Sequence, residues 1–321
     1  MWAFFTKKKY NLLNHNININ ELFINKIKEI RNKIYKIPNI NYNIIEYNIS
    51  ENKINNLLSG KYVMENIVLN NLDHNIYIKW KNNTIYIKCL KSKFNKFINR
   101  LQIFLKVCTF IQENSSQNIN LYLLLSHHKK YVDYNKIIEP KHVNSGYTNL
   151  LSRDVCIWRE EEFEKVTFHE LIHLFDKDHR HESINFNCDL NNLTHDLYYE
   201  AITDFKAIII NIIYVSLITR FQINLLLKYE YNFIYNQAKL IYNNLKNVQK
   251  QNTAAYSYFI LKYFIFKYFI EEDYDQELLN DILDNNKNYD KLINKIKYYS
   301  LNESTNFVDF KSARMTLIEL N

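Results

Sequence analysis

The stretch His169-Glu170-Leu171-Ile172-His173 constrains this chain more than any other. Side chains four apart on an α-helix sit one above the other, so His169 and His173 can aim two imidazole nitrogens at one point. A Zn²⁺ at that point would lie about 2.0–2.1 Å from each nitrogen. Glu170, one step round the helix, would be close enough to take a proton from a water on the metal without being a ligand. The competing reading is two helical histidines that happen to flank a glutamate.

The surroundings supply the helix this reading needs. Asp154-Val155-Cys156-Ile157-Trp158 has the β-branched and aromatic content of a short strand. Arg159 follows, and then Glu160, Glu161 and Glu162 form an acidic first turn that complements the positive end of a helix dipole. From Phe163 on, Val166, His169 and His173 form one stripe, with Phe163, Thr167, Leu171, Leu174 and Phe175 beside it. The pattern predicts a buried apolar helix carrying two histidines.

Composition sets limits on the rest. A chain of 321 residues that is 47% hydrophobic and 23% charged can bury a sizeable core and stay globular. With 2 Gly and 2 Pro in the whole chain, turns that would use glycine must use asparagine. Gly60 reads as a helix C-cap, whereas Gly146 precedes the strand that leads to the histidine helix. A net charge of +7, with only short basic runs at Lys7-Lys8-Lys9 and His127-His128-Lys129-Lys130, argues against a nucleic-acid partner. Cys89, Cys108, Cys156 and Cys188 show no C-x-x-C pair, which fits reduced thiols in an intracellular protein. The start lacks the apolar run of a signal peptide. The apolar stretch from Ala207 to Thr219 reads as a buried helix too short to span a bilayer, and Tyr258 to Ile270, broken by Lys262 and Lys267, reads the same way. The expectation is a soluble protein with no membrane partner.

Along the chain, Phe23, Ile27, Ile30, Ile34 and Ile37 alternate steps of four and three, which predicts an amphipathic helix ended by Pro38. Residues 1–70 carry no chemistry and are set apart from a domain at 71–321. Ile76 to Trp80 and Ile85 to Cys89 alternate on either side of an Asn82-Asn83 turn, a β-hairpin signal. Phe94, Phe97, Ile98, Leu101, Leu105 and Cys108 recur at helical spacing, and Asn120 to Leu125 reads as a strand. Beyond residue 195 the pattern is helical almost to the end. The predicted class is α+β: a zincin-like small sheet lobe, 71–180, with the H-E-x-x-H helix, followed by an all-helical lobe, 181–321.

A catalytic zinc needs a third protein ligand and an open position for water. Two candidates compete. His179 falls where the metzincin pattern H-E-x-x-H-x-x-G-x-x-H has its last histidine, but Asp176 occupies the glycine position. The only methionines are Met1, Met64 and Met315, which does not suit a methionine turn beneath the metal. The other candidate is Glu200, in Tyr199-Glu200-Ala201-Ile202-Thr203-Asp204, near the start of a second helix, which resembles the gluzincin arrangement, where a glutamate on a following helix is the third ligand. Asp204, one turn further on, could orient a ligating histidine. Glu200 is the favoured ligand; His181 and His195 read as loop or cap residues.

Several of these pieces resemble a family of zinc metallopeptidases encoded by large nucleocytoplasmic DNA viruses. They are Asn144-Ser145-Gly146-Tyr147-Thr148, the Arg159-Glu160-Glu161 turn, the H-E-x-x-H helix, Tyr199-Glu200-Ala201, Ser257 to Lys262, and Ser312 to Thr316. The resemblance covers residues 140–321 and implies a gluzincin-like peptidase of viral origin, with a glycine where this chain has Asp176.

The function expected is a zinc-dependent peptidase acting on a protein or peptide substrate through a metal-activated water. His169, His173 and Glu200 would hold the metal, Glu170 would be the general base, and Tyr258 would be a candidate to steady the oxyanion. Gly146 and the strand 154–158, read as an edge strand, would dock an extended peptide. The alternatives are a metzincin-like peptidase using His179, or a non-catalytic binding or virion-associated protein stabilised by zinc.

Overall fold

The computed structural model describes residues 17–59, 63, 67, 69, 71–113, 115–131, 139–175, 195–245, 257–271, 275–283, 289–296, 299, 316–318 and 320. Gly60, Met64, Asp176, His179, His181, Cys188 and Met315 lie outside the described residues, as does the run Lys7-Lys8-Lys9.

Helix α1 (Glu21–Lys36) forms where Phe23, Ile27, Ile30 and Ile34 share one face. Asn20 caps it, its Oδ1 accepting from Leu22 N at 2.9 Å, and Pro38 follows shortly after its end. The face is buried, with Phe23 stacked against Phe205 and Phe269 at ring-centroid distances of 6.2 and 6.1 Å. Strand β1 (Tyr42–Glu46) joins the sheet, and α2 (Glu51–Leu58) covers one side of it. Described segments of the first 70 residues therefore contribute to the same sheet and core as the remainder of the chain.

Alternation builds the central hairpin. β2 (His74–Trp80) turns Ile76, Ile78 and Trp80 to one face, and β3 (Asn83–Cys89) turns Ile85, Ile87 and Cys89 the same way. The turn falls on Lys81 and Asn82, with Lys81 at φ 49°, one step earlier than the Asn82-Asn83 turn expected. Asn83 belongs to β3 because its side chain is tied down elsewhere. Its Nδ2 donates to Gln112 Oε1 at 2.7 Å, and its Oδ1 accepts from Ile119 N at 3.0 Å.

Helices α3 (Lys91–Ile98) and α4 (Leu101–Ile111) carry the chain over to β4 (Asn120–Ser126), which runs parallel to β3 as such a crossover allows. After the short helix α5 (Pro140–Val143) come β5 (Gly146–Asn149) and β6 (Asp154–Arg159), paired antiparallel. Among the described residues the mixed sheet has 6 strands in the order β1-β2-β3-β4-β6-β5. Its two faces follow from alternation along β4. Leu121, Leu123 and Leu125 enter the main core, whereas Tyr122 and Leu124 join Ile49, Leu57, Leu69, Leu72 and Cys156 on the other side.

This order corrects one expectation. β6 is not an edge strand: β4 flanks it on one side and β5 on the other. Among the described residues the edge is β5, and Gly146, which precedes β6 as expected, opens that edge strand. Arg153, at φ 56°, closes the tight turn that folds β5 back on β6.

The helical layer consists of α6 (Phe163–Phe175), α7 (His195–Thr219), α8 (Ile223–Leu245), a π-helical turn (Ser257–Leu261) running into α9 (Lys262–Glu271), α10 (Gln276–Leu283) and α11 (Tyr289–Ile296). The class is α+β. The apolar run expected at Ala207–Thr219 is part of a longer helix. Within it Tyr198–Thr219 is long and apolar enough to cross a membrane by length and composition, but most of it is buried inside the protein. α7 is thus packed as a core helix, with α6, α8, α9 and α1 all against it.

Candidate metal centre

Helix α6 is buried on every side through most of its length, and its polar residues each meet a partner. Its first carbonyl bond is Val166 N to Glu162 O at 2.9 Å, with Glu162 at φ 59°. That left-handed backbone costs about 1–2 kcal/mol. The Glu162 carboxylate holds it from two sides: Lys130 Nζ lies 2.8 Å from Oε2, and Thr316 N donates to Oε1 at 2.6 Å. Arg100 pairs with Glu164 at 2.6 Å on the same turn. The position of the histidine helix is therefore fixed by charge pairs as well as by apolar packing.

His169 and His173, one helical turn apart on α6, face Glu200 on α7. His169 Nε2 and His173 Nε2 are 3.0 Å apart. Glu200 Oε2 lies 3.1 Å from His173 Nε2 and 3.4 Å from His169 Nε2. Three ligand atoms held about 2 Å from a cation at tetrahedral angles would be about 3.3 Å apart, and these separations match. Among the described residues this trio forms a group that could hold a metal ion. Both histidines are almost wholly buried, while the Glu200 side chain keeps 26% of its exposure.

The electrostatics suit a cation. Burial pushes the Glu200 carboxyl up, but the adjoining His173 and His169 outweigh it and hold the group well below the usual carboxylate range. For His169 burial works downward; Asp204 and Glu200 overcome it and raise the imidazole to about 8. Asp204 Oδ1 sits 3.2 Å from His169 Nδ1, the nitrogen turned away from the trio. The same carboxylate meets Lys165 Nζ through Oδ1 and Lys262 Nζ at 2.9 Å through Oδ2. Burial alone would raise Asp204; the two lysines and His169 outweigh it and keep it ionised.

Tyr258 also belongs to the site. Its ring centroid is 6.0 Å from that of His169, and its hydroxyl donates to Glu200 Oε2 at 3.3 Å. Burial, with the negative charge on Glu200 added, raises its pKa well above the ordinary tyrosine value. Tyr258 lies in the π-helical turn, a departure from α-geometry that recurs at functional sites. Tyr199 covers the other histidine, with its ring 5.6 Å from that of His173.

Glu170 is buried beside β5. A Cβ added to Gly146 would lie 3.1 Å from Glu170 Cγ, 2.9 Å from Val166 Cγ1 and 2.6 Å from Ile157 Cδ1. Gly146 is therefore a close-approach glycine, not one needed for a left-handed backbone. Thr148 Oγ1 is 2.8 Å from both Glu170 Oε2 and Glu170 O.

The structure thus brings His169, Glu170, His173, Glu200, Asp204, Tyr258 and Gly146 to one place. His179 lies outside the described residues, and of His195 only its position at the start of α7 is described. Sequence reasoning missed Thr148, Lys165 and Lys262. For Lys262 a signal was present: it interrupts an otherwise apolar helical stretch, where an unpaired ammonium would be costly. Comparison with protein-family models, curated proteins and solved structures found no match.

Proposed function

We propose that the protein is a zinc-dependent peptidase of zincin-like, gluzincin type. The observation that carries the reading is the convergence of His169 Nε2, His173 Nε2 and Glu200 Oε2 within 3.0–3.4 Å of one another, with Glu170 next to them on α6. The donor set of two imidazoles and one carboxylate fits Zn²⁺, which could take a water as a further ligand. When bound there, the metal supplies Lewis acidity, which acidifies a water and polarises the scissile carbonyl.

The remaining chemistry belongs to the chain. His169 and His173 present Nε2 as lone-pair donors, and Asp204 facing His169 Nδ1 fixes which ring nitrogen carries the proton. Glu170 accepts the proton that the attacking water gives up and passes it to the departing amine nitrogen. Tyr258, kept protonated by its buried surroundings, redirects its one hydroxyl proton from Glu200 to the oxygen that gains negative charge. Among the described residues strand β5 ends the sheet, and an extended peptide adding its backbone along the side away from β6 would lie close to Glu170.

The test is Glu170→Gln in the zinc-loaded protein, assayed against casein and a peptide library with and without a chelator. Zinc should stay bound while turnover falls by about 10²–10⁴-fold, the range of a general base. Near-normal turnover in this variant would overturn the mechanism.

A further inference from the structure

We propose that Thr148, on the edge strand β5, is the positioning residue that sets the orientation of Glu170. Its catalytic consequence rests on the peptidase reading, whereas the contact rests on geometry alone. Residues two apart on a strand face the same side, so Gly146 and Thr148 both look toward α6. The side chain of Tyr147 goes the other way, where its hydroxyl donates to Leu57 O at 2.9 Å and anchors the strand to α2. The strand is thus pinned on one face and offers its other face to Glu170.

Thr148 Oγ1 stands 2.8 Å from the Glu170 carboxylate oxygen Oε2 and 2.8 Å from Glu170 O. A hydroxyl has one proton to donate. The main-chain oxygen lies within α6, where it accepts the helix's own bond from four residues on. The carboxylate is the stronger acceptor of the two, so the proton goes to Oε2. That bond commits Oε2 and leaves Oε1 as the oxygen that receives the proton from water.

Gly146 completes the grip. Its missing side chain lets the stem of Glu170 lie against the strand backbone, since a Cβ there would come within 3.1 Å of Cγ. β5 therefore holds Glu170 at its stem and at its head. Among the described residues β5 pairs only with β6, and its other side is where an extended substrate would pair, so one four-residue strand would both dock the peptide and aim the base.

The experiment compares Thr148→Val and Thr148→Ser with wild type by two independent readouts. The first is the infrared carboxylate stretch of Glu170 in metal-free protein, assigned by subtracting the Glu170→Gln spectrum. Thr148→Val should shift that band, and Thr148→Ser should leave it in place. The second is peptide hydrolysis by the zinc-loaded protein. A misaimed base costs about tenfold to hundredfold, so Thr148→Val should lose that much in kcat, with KM within about twofold of wild type and zinc content unchanged. Thr148→Ser should restore the rate. An unmoved Glu170 band, a wild-type kcat in Thr148→Val, or a loss confined to KM would overturn the proposal. A shifted band in a protein whose wild type cleaves no peptide would support the Thr148–Glu170 contact and overturn the peptidase reading alone.

Discussion

Lys262 Nζ lies 2.9 Å from Asp204 Oδ2, and neither side chain reaches solvent. Lys165, equally buried, meets the other oxygen of the same carboxylate. One aspartate on α7 therefore ties together α6, through Lys165 and His169, and the start of α9, through Lys262. The π-helical turn that carries Tyr258 runs directly into Lys262, so this ion pair also anchors the tyrosine end of the site.

Removing the aspartate should cost more than removing one of its lysines. Asp204→Asn leaves two buried ammonium groups against a neutral amide, and breaking such pairs costs about 3–5 kcal/mol. Lys262→Met leaves Asp204 paired with Lys165 and fills the space with an apolar chain, so its loss should be smaller. Urea denaturation of the metal-free proteins measures both. An Asp204→Asn variant as stable as wild type would show that the pairing contributes nothing. In the zinc-binding assay the same variant should lose about tenfold to hundredfold in affinity, the usual effect of removing a partner behind a ligating histidine.

The choice of third ligand gives a second prediction. Glu200→Ala removes the only oxygen of the trio and should lose most bound zinc in competition with a chelator, whereas His179→Ala should keep it. Zinc retained by the first variant and lost by the second would transfer the site to the metzincin arrangement.

That His169 and His173 share one face was legible in the sequence because helical spacing is local: four residues along α6 fix the geometry wherever the helix sits. Glu200 was singled out by its likeness to the gluzincin arrangement, since its approach to His173 across 27 residues is a tertiary contact that no local pattern shows. β5 was not legible, since four residues give no alternation to read, and its place at the edge depends on strand order, which is a tertiary property. The helix expected beyond residue 195 runs unbroken through Lys206, whose Nζ donates to Tyr289 Oη at 2.9 Å, so a charge beside the apolar run is accommodated inside α7. The hairpin turn moved by one residue because Asn83 is recruited by Gln112 and Ile119, contacts across 29 and 36 residues that no local pattern shows.

Gly146 supplies a third prediction. Gly146→Ala places a methyl group against Ile157 Cδ1, Val166 Cγ1 and Glu170 Cγ at 2.6, 2.9 and 3.1 Å. The Ile157 tip can turn aside, but α6 and the stem of Glu170 must also give way, and overpacking of this kind costs about 1–3 kcal/mol. Gly146→Val should be worse on both counts. Thermal melts should show the loss in stability, and kcat should fall together with it because Glu170 is displaced. A Gly146→Val protein with wild-type melting and wild-type kcat would mean that β5 yields freely and does not hold the base.

The last prediction concerns Glu230, which binds the C-terminal segment inside the protein. Its Oε2 accepts from Thr316 Oγ1 at 2.8 Å and from Leu317 N at 3.0 Å, while Thr316 N donates to Glu162. Burial raises the Glu230 carboxyl to about 7, despite the opposing hydrogen bond from Thr316 and the charge of Lys262. A group whose folded pKa is raised binds its proton more tightly in the native state, so its contribution is complete below the unfolded value. It is lost as pH rises through the folded value. For Glu230 the window runs from 4.5 to about 7. The whole change is about 3 kcal/mol, at roughly 1.4 kcal/mol per unit. Metal-free wild type should therefore lose stability steadily across that window. His169, raised to about 8, adds a further loss above 6.5. Glu230→Gln keeps an acceptor for Thr316 and Leu317 but cannot ionise. Its urea midpoint should be flat from 4.5 to about 6.5 and should still fall toward pH 8 through His169. A slope in Glu230→Gln equal to that of wild type over the lower window would show that another group is responsible.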